Sequence, residues 1–250
     1  MQGLAIFIHA VRMVLGNLGQ ALRIGGVALA VMVALTLSLG ATPEAGAAPS
    51  VAAIVLDVAR IIVGLWVVVA WHRFILLEEA PGAFLPAWNG AAIWGYFKAG
   101  FVLGLIIALL FIPLMLIAGL VVFPLLGAGA DAASPGLVAG LVAFVVTLLP
   151  AIYVFYRLSP VLPGAAIERP LTLREAWYQT GTSGAAFITL ALASLLAGWA
   201  LDALIPALAQ VSVPLALIWS AVTQWLVFLV GASILTTLYG HYIEKRELNA

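Results

Sequence analysis

Asp57 and Arg60 stand three residues apart in an otherwise uncharged apolar run, so on a helix they share one face and can pair. A charge inside a hydrocarbon layer is costly and commonly serves a substrate, an ion or a proton. Two readings are open: a substrate or proton site if the pair lies deep, and a structural ion pair or a snorkelling arginine if it lies shallow. From His72 to Arg60 is about 18 Å of helix, deep if His72 marks the membrane boundary and shallow if Glu78 and Glu79 do. Asp202 is the best distant partner for Arg60. His72 and His241 each end an apolar run, and imidazole there can ligate a metal, accept a proton or anchor the helix at the headgroups. The carboxylate and histidine spacing of metal sites in helical bundles is missing around both, which favours the anchor. Arg73 follows His72 in the cluster Trp71-His72-Arg73-Phe74. Ser183 and His241 are a nucleophile and a base, but they form a pair only if folding brings them within hydrogen-bond reach. No phosphate loop, dinucleotide fingerprint or HExxH sequence occurs. No catalytic residue, cofactor or metal is therefore assigned, and a non-enzyme is expected.

The elements that position these residues follow from composition. Of 250 residues, 65% are hydrophobic and 8% charged, and the mean hydropathy is +1.22. A soluble domain carries about 25% charged residues. Ten Lys and Arg balance ten Asp and Glu, leaving no basic surface for a nucleic acid. The absence of cysteine removes disulfides and thiolate ligands. Six apolar runs, at 24–41, 51–77, 99–123, 137–156, 184–204 and 214–239, are each long enough to cross a hydrocarbon core of about 30 Å. The expected fold is an all-α polytopic bundle of six transmembrane helices with short interfacial amphipathic helices, forming a single transmembrane domain over 1–250. The start of the chain lacks the charged lead and cleavage site of a signal peptide, so it is expected to remain. There His9, Arg12, Asn17, Gln20 and Arg23 recur on one side, against Leu4, Phe7, Ile8, Val11, Val14, Leu15, Leu18 and Leu22 on the other, the pattern of a helix lying in the interface. Pro124 and the stretch 127–136 are expected to end the third run.

With six spans both termini share a side, which holds Arg12, Arg23, Arg73, Lys98, Arg157, Arg169, Arg174, Lys245 and Arg246. The other side has Arg60 alone, with Glu44, Asp57, Asp131 and Asp202. Positive charge favours the cytoplasm, so both termini are expected there, in a bacterial inner membrane. The order interfacial helix, span, span occurs three times, in units 1–80, 81–160 and 161–250. The second unit approaches its first span through Trp88, Trp94, Tyr96, Phe97 and Lys98. The third opens at Thr172 and Glu175, a capping box after Pro170. Each unit closes in aromatic and basic residues: Trp71 to Phe74, then Tyr153 to Arg157, then Tyr239 to Tyr242. Internal repetition and the ordinary aromatic belt both account for this likeness.

The layout from Ile8 to Gln20, the Trp71-His72-Arg73-Phe74 closure and the ending from Tyr239 to Glu244 resemble uncharacterised bacterial six-helix membrane proteins related to the membrane domain of glycerophosphodiester phosphodiesterases. In those enzymes the chemistry resides in a separate soluble barrel, absent here, so the resemblance implies a fold and lends no catalytic residue. Gly181-Thr182-Ser183-Gly184 looks like the serine motif of rhomboid proteases, without that family's other elements. Gly100 with Gly104, and Gly136 with Gly140, permit close helix approach and carry little further meaning. The expected role is contact with membrane lipids, or with a membrane or cytoplasmic partner protein, through a rim of Arg12, Arg23, Arg73, Lys98, Arg157, Arg169 and Arg174. A small transporter or lipid-handling protein with a site at Asp57 and Arg60 is the alternative.

Overall fold

The computed structural model describes residues 2–39, 51–82, 85–126, 137–181 and 184–248. A chain this apolar has no water to satisfy its backbone within a bilayer, so each crossing segment must close its own hydrogen bonds as helix. The described residues are accordingly all-helical: α1 (Gln2–Gly16), α2 (Leu18–Leu39), α3 (Val51–Leu77), α4 (Gly90–Leu126), α5 (Leu137–Leu158), α6 (Val161–Ala166), α7 (Leu173–Gln179), α8 (Gly184–Asp202), α9 (Ile205–Val211) and α10 (Val213–Tyr242). Among the described residues, five stretches are long and apolar enough to span a membrane: Ala53–Leu77, Gly90–Phe123, Val142–Ala166, Gly184–Val211 and Val213–Tyr242. A sixth arises if α1 and α2 count as one bent element.

The bend between α1 and α2 is 79° and falls at Asn17, whose amide donates to the Met13 carbonyl at 2.9 Å. α1 therefore lies crosswise to α2. Its packed stripe is not the large apolar face read from the sequence. Gly3, Ile6, Ala10 and Val14 are buried against α8 and α10, while Leu4, Ile8 and Leu15 are exposed. Gly3 and Ala10 let α1 come close to its neighbours, because two helices approach closely only where side chains are short, and Ile6 and Val14 fill the space beside them. The second unit also departs from expectation. Trp94, Tyr96, Phe97 and Lys98 form no separate interfacial helix but are early turns of α4, which continues through Pro113 to Leu126. Proline is tolerated inside membrane helices, where neighbouring groups re-satisfy the freed carbonyl.

Burial is concentrated where α3, α6 and α10 end, here called the basic end. From Ala232 to Gly240 every residue of α10 is buried, whereas residues 57–63 of α3 are exposed on all sides. The main core joins α2, α3, α4, α6 and α10 around Trp71, Leu103, Leu162 and Leu229. A second cluster seats α1 on α8 and α10 around Ile6, Phe187 and Leu238. Gly104 and Gly140 meet no neighbour at the position of a side chain, so neither expected small-residue pair makes a helix contact at that glycine.

Among the described residues, three that are not glycine have left-handed backbone, and each follows a closing helix: Glu78 after α3, Glu168 after α6 and Lys245 after α10. After each, an N–H returns to an earlier carbonyl: Glu79 to Arg73, Arg169 to Gly164 and Arg246 to Gly240. Such turns satisfy carbonyls that a helix C-terminus leaves free.

Candidate functional site

The cluster Trp71-His72-Arg73 at the end of α3 is the centre of the basic end. Trp71 is fully buried and its indole N–H donates to Ser233 Oγ at 2.8 Å. His72 Nδ1 lies 2.7 Å from Thr236 Oγ1, and its ring packs on Tyr96 of α4 with centroids 5.5 Å apart. Ser233 and Thr236 are one turn apart on α10, so two successive residues of α3 grip one face of it. The expected interface anchor is thus an interior residue of the bundle. Its Nε2 is buried without a hydrogen-bond partner.

Arg73 gathers charges from distant parts of the chain. Its Nε donates to Glu79 Oε2 at 2.8 Å, and Nη2 donates to the other oxygen of the same carboxylate. Nη1 donates to the Ala166 carbonyl and to Glu168 Oε2, both at 3.1 Å. Asn89 also donates to Glu168 Oε2, at 3.4 Å. The planar guanidinium has donors enough for this fork, which an ammonium lacks. A cavity of about 320 Å³ adjoins it, lined by Ile24, Val69 and Ala70 on an apolar side and by Arg73, Glu79, Trp88 and Asn89 on a polar one. The segment roofing it is fastened by Trp66, whose indole donates to the Ala87 carbonyl at 3.3 Å and meets Trp88 edge-on.

Arg157 is 7% exposed, and among the described residues no carboxylate pairs with it. Its guanidinium lies 3.7 Å from the Trp177 ring centroid and 5.6 Å from that of Tyr153. It donates to the Trp177 carbonyl, to Tyr153 Oη at 2.9 Å and to Thr180 Oγ1 at 3.4 Å. A desolvated cation over an indole gains about 2 kcal/mol. The arrangement fastens α7 to α5, so this arginine, expected on a contact rim, is spent inside.

His241 is half-buried, with Nε2 2.9 Å from Gln2 Nε2 and Nδ1 3.1 Å from the Arg246 carbonyl. It lines a second cavity of about 520 Å³ with His9, Thr236, Thr237, Arg246 and Glu247. Ser183 lies outside the described residues, as do Glu44 and Asp131.

At the opposite end, Arg60 pairs with Asp57 at 2.9 Å, and the two side chains are 49% and 67% exposed. Counted along the helix they lie roughly 10 and 6 Å from Ala53, the first residue of the apolar stretch. The half-exposed pair therefore stands near the end of α3 remote from Leu77 and the turn at Glu78. Asp202 is exposed at the end of α8 and forms none of the described ion pairs, so it is not brought to Arg60. Of the residues singled out from the sequence, His72 and Arg73 stand together, His241 lies across α10 from them, and Asp57, Arg60 and Asp202 do not join them.

Sequence reading missed Glu79, Asn89 and Glu168 as partners of Arg73, and Trp177 and Thr180 as partners of Arg157. The run Ser233, Thr236, Thr237 in an otherwise apolar helix was the available signal for a polar contact at that level. Comparison with family models, curated proteins and solved structures returns no match.

Proposed function

We propose that the chain is a multi-pass protein of the bacterial inner membrane, with both termini cytoplasmic, and that it acts without catalysis by holding anionic lipid headgroups or a partner protein at its basic end. One observation carries this reading: cations and aromatic rings are exposed together on α4 and on α7. Arg12, Arg23, Lys98, Arg169 and Arg174 are exposed, as are Trp88, Trp94, Trp177 and Tyr178. Arg174 lies 5.6 Å from the Tyr178 ring centroid, and Lys98 stands one turn after the exposed Trp94 on α4. Aromatic rings favour the headgroup level, and each nearby cation contributes about 1 kcal/mol toward an anionic surface. The effective rim is smaller than the sequence implies, since Arg73 and Arg157 are withdrawn from it. The likeness to the membrane domain of glycerophosphodiester phosphodiesterases belongs to this proposal, for the bundle alone.

The test is retention of phosphatidylglycerol by the full chain purified in neutral detergent. Lys98→Gln with Arg174→Gln is expected to lower the bound lipid several-fold at low salt, with unchanged melting, while Asp202→Asn leaves it unaltered. Equal retention by the double variant would overturn the reading.

A further inference from the structure

We propose that a second copy of this chain packs on the half of α3 remote from the basic end, the two α3 helices side by side and parallel, with each Asp57 bonded to Arg60 of the partner subunit.

This half of the helix lacks a close neighbour. Every residue from 57 to 63 is exposed, so none of its sides is covered by α2, α4 or α10. It nevertheless belongs to the apolar stretch Ala53–Leu77. At about 100° per residue, Asp57, Arg60 and Gly64 fall along one line of the helix, and the same line reaches Trp71, which is fully buried. A line that packs into the core at the basic end thus continues outward uncovered. A side-chain carbon at Gly64 would meet nothing within 4 Å, which leaves room for another helix to come close. Ile54 and Ile61, 51% and 58% exposed, border the line with apolar surface.

Charge selects the occupant. The bond between Arg60 Nη1 and Asp57 Oδ1 uses one guanidinium nitrogen and one carboxylate oxygen. Neither side chain bonds to any other described residue, so Nε and Nη2 of Arg60 and Oδ2 of Asp57 stay open. Acyl chains offer neither donors nor acceptors, and charges on a membrane helix are costly unless paired. The cover must bring an acceptor for Arg60 and a donor for Asp57. A second copy brings both. Copies in one membrane share one orientation, so a two-fold axis relating them lies along the membrane normal and sets equal residues at equal height. Asp57 and Arg60 differ in height by about 4.5 Å, a step that the long arginine side chain covers between helices in contact. Each Asp57 then meets its own Arg60 and the partner's, and the charges alternate in a ring with none in surplus. A face of one sign would repel its own copy, whereas one acid beside one base complements itself. Polar groups on such a seam also fix its register.

The chain has no cysteine, so single cysteines report the seam cleanly. Gly64→Cys places a thiol on the line of Asp57 and Arg60, and Ile62→Cys places one on the opposite side of the helix. Membranes isolated from cells expressing the full-length variants are oxidised with copper phenanthroline. Gly64→Cys should give a disulfide-linked homodimer at several times the yield of Ile62→Cys. Adding Asp57→Asn and Arg60→Gln to Gly64→Cys keeps both shapes and removes both charges, and should lower the dimer-to-monomer ratio roughly threefold to tenfold. Equal yields from the two cysteine positions, or a ratio unchanged by the neutral pair, would overturn the proposal. A linked band of another mass in place of the homodimer would also overturn it, assigning the face to a different protein. Lipid retention at the basic end enters neither readout, so the rim reading and this one fail separately.

Discussion

A side-chain carbon at Gly3 would come within 2.0 Å of the Ala186 carbonyl oxygen and 2.8 Å of the Leu190 nitrogen, both backbone atoms of α8. Neither can yield without moving a helix. Gly3→Ala is therefore expected to cost about 1–3 kcal/mol, read as lowered melting in detergent, whereas Gly19→Ala, which meets nothing, should be neutral or stabilising by up to about 1 kcal/mol. Equal melting of Gly3→Ala and wild type would contradict the close seating of α1. The same scale shows what a sequence reveals of a site. The Asp57 and Arg60 pair was legible because helical spacing fixes it locally. Arg73 was legible as a candidate, but its partner Glu168 is 95 positions away, and Thr236 is 164 positions from His72. Such contacts are set by helix packing, which no local spacing encodes.

Among the elements, α7 is the one whose start could be read residue by residue. Thr172 Oγ1 accepts from the Glu175 N–H at 3.2 Å, and the Glu175 carboxylate accepts from the Thr172 N–H at 2.8 Å. The backbone N–H of Thr172, and then its hydroxyl, hold the Glu175 carboxyl below the usual glutamate value. The sign follows from linkage: the stabilisation is complete above the ordinary glutamate range and is lost as pH falls through the lowered value. The protection factors of residues 173–179, corrected for the intrinsic pH dependence of exchange, should thus hold through neutral pH and fall only once pH drops below the ordinary glutamate range. Thr172→Ala should lower them roughly fivefold at neutral pH. Protection that ignores both the substitution and acid would mean that Arg157 alone holds this helix. The long α4 was less legible, since glycine, proline and aromatic residues read as boundaries in water are accommodated inside a membrane helix.

For the molecule as a whole, apolar length made the all-α membrane class legible, and what it could not show was how unevenly the bundle is packed. The closing ends are knit by Trp71, Arg73 and Arg157, while residues 57–63 touch no neighbouring helix closely enough to be buried. The proposed topology makes a simple prediction: single cysteines at Asp202 and Ser212 should react with an impermeant reagent added to intact cells, and cysteines at Glu79 and Arg169 only after lysis. Reaction at Arg169 in intact cells would reverse the orientation or change the span count. The crosswise seat of α1 has one more implication, for biogenesis. Its buried stripe rests on α8 and α10, which leave the ribosome after more than 180 residues of chain have been made, so the first helix must wait at the membrane surface for the last ones. Seating α1 is therefore a lateral docking of an earlier-made segment onto later-made ones. A chain halted before α8 would leave that stripe uncovered, a ready mark for quality-control proteases.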